Sequence, residues 1–123
     1  MNNFSVPYSI KEFTLTICGV SIKFEFPISD YIEINSVLIL LLDIPSNIKY
    51  NENVFGVSLI SKKIIWQIPQ IPDTDFYRLY SETYCSYIDM SYFENKLKLF
   101  NWCDFYIIID EETGTILQKG DSK

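Results

Sequence analysis

The chain has 123 residues, is 48% hydrophobic and 16% aromatic, and sets ten Lys plus Arg against sixteen Asp plus Glu, a formal net charge of −6. That length fits a single domain over residues 1–123, and so apolar a composition excludes a disordered chain. The acidic balance, with Arg78 the only arginine, disfavours direct contact with nucleic acid.

Alanine is absent while Ile, Tyr, Phe and Val abound, which removes the best helix former and favours strands throughout. Phe13, Leu15 and Ile17 alternate with Thr14 and Thr16, and Ile22, Phe24 and Phe26 alternate with Lys23 and Glu25, so residues 13–26 read as two short strands turning at Cys18-Gly19. After Pro27, the run Tyr31 to Ile34 leads through Asn35-Ser36 into Val37-Leu38-Ile39-Leu40-Leu41-Leu42. Such a continuous apolar run reads as a central strand covered on both faces, with a short buried helix as the competing reading. It is far too short to span a bilayer, and the Pro45-Ser46-Asn47 cluster ends it.

Asn53 to Leu59 and Ile64 to Pro69 form a hairpin around the polar turn at Ser61-Lys62-Lys63. Gln70 to Tyr87 shows no clean periodicity and reads as a long loop rich in tyrosine. Lys96 to Phe100 alternates, a turn at Trp102-Cys103-Asp104 follows, and Phe105 to Ile109 is another strand. The last hairpin turns at Asp110 to Gly114 and closes with Thr115 to Gln118, leaving Gly120 to Lys123 as a frayed tail. The sum is about nine strands and little helix: an all-β, mostly antiparallel meander that forms a sandwich or a partly open barrel.

Chemistry is sparse. The chain has no histidine, which removes the usual proton-transfer residue and the commonest metal ligand. Cys18, Cys85 and Cys103 are odd in number and far apart, and no basic start precedes a long apolar run, so they are expected to be small buried thiols in a reducing cytoplasm. The four glycines are scattered singly and build no phosphate-cradling loop. Asp110, Glu111 and Glu112 fall in a turn whose leading Asp is expected to bond its own backbone, and no metal pattern surrounds Asp73 and Asp75. Neither a cofactor, nor a metal, nor an enzymatic activity is expected.

What remains is a surface. From Asp73 to Glu112 there are nine acidic residues and three basic ones, with tyrosines interleaved. Acids beside aromatic anchors suit a positively charged protein partner, which selects Asp73, Asp75, Tyr77, Tyr80, Glu82, Tyr84 and Asp104 as the candidate partner-binding residues. The structural alternative is that Tyr77, Tyr80, Tyr84 and Tyr87 pack as a lid over the sheet with their hydroxyls at the rim.

The runs Asn53 to Val57, Ile64 to Ile68, Asn101-Trp102 with Phe105-Tyr106, and Ile109-Asp110 with Thr113 to Leu117 resemble a group of small bacterial β-rich proteins. Some of these look like immunity proteins that neutralise toxins. Similar sequences place a glycine after the Asn-Trp pair, where this chain has Cys103-Asp104. The last phrase is also similar to a blade repeat of β-propellers that bind pyrroloquinoline quinone, but a single unit excludes a closed propeller. The resemblance covers residues 51 to 119 and implies a cytoplasmic immunity factor that covers the active site or substrate face of a cationic toxin. The alternative function is a carboxylate-based hydrolase or small-ligand carrier, which needs two inward carboxylates or an apolar cavity. A third is a structural subunit with an exposed apolar face.

Overall fold

The computed structural model describes residues 6–45, 47–48, 50–69 and 85–121. They form strands only: β1 (Tyr8–Lys11), β2 (Thr14–Ile17), β3 (Val20–Lys23), β4 (Ile28–Ile34), β5 (Val37–Leu42), β6 (Val54–Ser58), β7 (Lys63–Gln67), β8 (Tyr87–Phe93), β9 (Lys96–Asn101), β10 (Phe105–Ile109) and β11 (Ile116–Asp121). All pairings are antiparallel between consecutive strands, in three sheets ordered β1-β2-β3, β4-β5-β6-β7 and β11-β10-β9-β8. The expected antiparallel meander is present, as stacked sheets and not as a closed barrel.

The hairpin turns follow from backbone sterics. Cys18-Gly19, Asn35-Ser36 and Glu94-Asn95 each bridge a two-residue gap, between Ile17 and Val20, Ile34 and Val37, and Phe93 and Lys96. Both residues of each pair have positive φ, the geometry that matches the right-handed twist of the flanking strands.

The stacking follows from β5. All six of its residues are buried. Because side chains alternate across a strand, Val37, Ile39 and Leu41 enter one cluster with Val54, Trp66, Tyr87, Leu97, Leu99 and Ile107. Leu38, Leu40 and Leu42 enter a second cluster with Leu15, Ile17, Phe24, Val57 and Leu59. The β4–β7 sheet is therefore the middle layer, with the β1–β3 sheet over one face and the β8–β11 sheet over the other. The competing helical reading of this run is excluded.

Two of the eleven strands are not expected from sequence. β1 alternates Tyr8 and Ile10 with Ser9 and Lys11 over only four residues, and β8 has a register shift between Tyr87 and Asp89 that breaks the two-residue period. β11 also runs past the expected frayed end: Tyr106 pairs with Gly120 and Phe105 with Asp121. The cysteine expectation is corrected as well. Cys85 and Cys103 are buried but joined in a disulfide, with Cα atoms 5.8 Å apart, whereas Cys18 is a free thiol and exposed. Trp102 N–H donates to the Ser86 carbonyl (3.3 Å), so the bridge sits on a continuation of the β8–β9 ladder. Cross-linking residues 18 apart constrains the unfolded chain, worth on the order of 3 kcal/mol.

The two-sided burial of β5 has a direct test. Leu40→Ala and Leu41→Ala empty opposite clusters, and each is expected to cost about 2–5 kcal/mol in urea unfolding. If either substitution proved near neutral, β5 would have one face in solvent.

Candidate functional site

The two outer layers each turn one face away from the middle sheet, and these faces differ sharply. On the β1–β3 sheet the outward rows are Ser9-Thr16-Ser21 and Lys11-Thr14-Lys23, all polar, with Thr16 and Ser21 hydroxyls 3.0 Å apart. That is the usual pattern for a sheet with one face in water. On the β8–β11 sheet the outward rows are Ser91-Lys98-Ile108-Gln118 and Asp89-Phe100-Tyr106-Gly120, with Phe93 opposite Lys96 beyond them. Phe93 is 73% exposed and Leu117 63%.

Side chains on this face are ordered against one another. Lys98 Nζ lies 4.5 Å from the centre of the Tyr106 ring and 5.8 Å from that of Phe100. The two rings are 6.3 Å apart. Gly120 leaves room for Tyr106, since a Cβ there would meet the ring at 2.5 Å. A groove of about 350 Å³ runs between Phe93, Lys98, Phe100 and Tyr106. A second groove, of about 410 Å³, shares Lys96, Ile108 and Gln118 with it and is walled by Asp110, Glu111 and Glu112.

That acidic wall is held in place from the middle sheet. Trp66 on β7 donates its Nε1–H to the Glu111 carbonyl at 2.7 Å. Its ring lies where a Cβ at Gly56 would fall and 2.8 Å from where one at Gly114 would. Gly114 has φ of 74° and donates its N–H to the Asp110 carbonyl (2.7 Å). As expected of an Asp-led turn, Asp110 Oδ1 accepts the Glu112 N–H at 2.8 Å. The turn is thus closed by its own bonds, and its acids project at the rim.

Asn53 ties the same two sheets together at another point. Wholly buried, it donates through Nδ2 to the carbonyls of Leu42 (2.8 Å) and Tyr87 (2.9 Å) and accepts the Tyr87 N–H (3.1 Å). Asn101 Oδ1 accepts the N–H groups of Cys103 (3.1 Å) and Phe105 (3.0 Å), shaping the β9–β10 turn. There Asp104, with φ of 68°, takes the left-handed conformation that a glycine would take most easily. The phrases that carry the sequence resemblance therefore include residues that join sheets and shape turns.

Of the residues selected from sequence as partner-binding, Asp73, Asp75, Tyr77, Tyr80, Glu82 and Tyr84 lie outside the described residues. Asp104 is exposed, but it sits at the opposite end of β10 from Asp110, about 20 Å away by strand rise. It does not belong to the acidic wall. The sequence reading overlooked Phe93, Lys98, Phe100, Tyr106 and Ile108, although one signal was present: β10 is apolar at every position, as β5 is.

The described residues contain no group of three or more Asp, Glu, Cys or His able to hold a metal ion. Every described Asp and Glu reaches solvent at least in part. No described helix is long and apolar enough to cross a membrane. A third groove, of about 370 Å³, lies elsewhere against Ile10, Ile28, Asp30 and Tyr31. Nearby, burial and then the Glu33 carboxylate raise the Tyr8 phenol above its ordinary value.

Comparison with protein-family models gives one match over residues 5–121, and the chain belongs to that family, described as a domain of unknown function, DUF7957. Neither the curated proteins nor the solved structures hold a significant match.

The Trp66 clasp can be tested without a partner. Gly114→Ala must place a Cβ against the indole at positive φ, so it is expected to cost about 2 kcal/mol or more in urea unfolding and to shift Trp66 fluorescence. Stability and emission like those of the unaltered protein would show that the turn is not held by the indole.

Proposed function

We propose that this member of the family is an immunity-type binding protein, which docks a basic protein toxin on the outward face of its β8–β11 sheet and so blocks the toxin's active site or substrate face. The carrying observation is the comparison of β10 with β5. Both strands are apolar throughout, yet among the described residues only β5 has a sheet on each side. Phe93, Phe100 and Tyr106 supply aromatic contacts of the kind found at interface centres, and the uniformly polar outer face of the β1–β3 sheet is the internal contrast.

The charge pattern supports a basic partner. Asp110, Glu111 and Glu112 flank the face on one side and Glu94 and Asp89 lie along it, within a chain of net charge −6. Acids at a rim raise association rates with cations more than they add affinity, so binding should weaken with salt chiefly through slower association. The toxin role itself draws on the sequence resemblance.

A carboxylate-based hydrolase or a small-ligand carrier would call for paired inward carboxylates or an enclosed apolar cavity. The described carboxylates instead face solvent. The Cys85–Cys103 bridge favours a compartment in which disulfides persist, so the cytoplasmic setting expected from sequence is not part of the proposal.

Phe93→Glu places a charge on the most exposed aromatic of the face, at the end of the edge strand β8, while leaving the cores intact. It is expected to weaken binding of the basic protein that co-purifies from the native host about tenfold or more, with an unchanged urea midpoint. Lys11→Glu, on the opposite polar face, is expected to leave binding within about twofold. Undiminished binding by Phe93→Glu would remove this face from the proposal.

A further inference from the structure

We propose that the Phe100 and Tyr106 rings form a subsite for a guanidinium group of the basic partner, and that Lys98 occupies it in the free protein. The inference rests on the reading of the outer face as a docking surface and names the chemistry its centre would recognise.

The subsite is built from the register. Phe100 and Tyr106 are directly opposite on β9 and β10, tilted 52° to one another with centroids 6.3 Å apart. On the other strand beside Tyr106, Gly120 leaves room for the ring, since a Cβ there would meet it at 2.5 Å. The ammonium of Lys98 lies over both rings, at 4.5 Å from the Tyr106 centroid and 5.8 Å from that of Phe100. Both distances lie within cation–π range, so the pair already holds a cation.

The resident cation is also replaceable. Lys98 is half-exposed on a flexible stem, and its ammonium is a compact, strongly hydrated charge that gains little from an aromatic face. A guanidinium is planar and more weakly hydrated, and it stacks on such faces while donating in its own plane. Carboxylates suited to those donors lie along the same surface. Glu94 lines the groove beside the rings, and Asp110, Glu111 and Glu112 wall the adjoining one. An incoming arginine would displace Lys98 to solvent, and Lys98 would then act as a competitor that sets a floor on affinity for weakly basic surfaces.

Lys96 supplies the control. It lines both grooves and carries the same charge, whereas the ammonium over the two rings is that of Lys98. Oligo-arginine and oligo-lysine peptides of equal length, fluorescently labelled, can be titrated into the full chain at about physiological salt. The unaltered protein should favour oligo-arginine. Lys98→Met should tighten oligo-arginine binding about threefold more than Lys96→Met, since both remove one charge but only one vacates the rings. Tyr106→Leu should abolish the preference for arginine over lysine.

Equal effects of Lys98→Met and Lys96→Met would overturn the subsite, as would an arginine preference that survives Tyr106→Leu with the fold intact by urea unfolding. Should Tyr106→Leu fail to fold, the lysine comparison decides alone. Loss of the subsite with continued sensitivity of partner binding to Phe93→Glu would leave the docking face standing. Insensitivity to Phe93→Glu would remove both.

Discussion

Six aliphatic side chains that alternate across the two faces of one strand leave water only if both faces are covered, and β5 imposes that condition on the whole fold. Leu38, Leu40, Leu42 and their counterparts Val37, Ile39 and Leu41 point in opposite directions from one backbone, so one sheet cannot hide them all. Each fully buried aliphatic side chain contributes roughly 1.5–3 kcal/mol against the entropy of ordering it. The three-layer stack is the arrangement that captures both contributions. The tight hairpins at Cys18-Gly19, Asn35-Ser36 and Glu94-Asn95 keep successive strands adjacent, so each layer assembles from local pairings.

Apolar contact alone would let sheets slide, and two polar devices fix their relative position. Asn53 spends its amide on backbone groups of both β5 and β8, and a buried amide with such partners resists displacement because breaking one bond strands a polar group. Trp66 does the equivalent at the other sheet edge, with its N–H on Glu111 and glycines where its ring needs space. Through this clasp a core tryptophan sets the position of the acidic turn on the surface. The structural core and the proposed interface are thus mechanically connected, and a change in the clasp should be felt at the rim.

Much of the fold was legible because period-two alternation and turn chemistry agree for β2, β3 and β9, and because the continuous apolar runs at residues 37–42 and 105–109 mark strands. β8 was illegible because its register shift puts Ile88 and Asp89 out of step, and β11 because its end is fixed by contact between Gly120 and Tyr106, which no local pattern reveals. The disulfide was illegible for a related reason. Cys85 and Cys103 meet only once β8 pairs with β9, so spacing along the chain carries no sign of it. Charge counting selects the tyrosine-rich stretch, which lies outside the described residues, and Asp104; the outward face of the β8–β11 sheet is made by residues that alternate with core positions and look in sequence like ordinary strand residues.

In the proposal, the outward face of the β8–β11 sheet is the one that meets another protein. A photo-crosslinking residue placed at Phe93 in one variant and at Ser9 in another, each expressed in the native host, samples the two outer faces of the same molecule. The expected result is a discrete crosslink to a basic protein from position 93 and none from position 9. Crosslinking from position 9 alone, or from neither position while a partner remains bound, would contradict the assignment of this face.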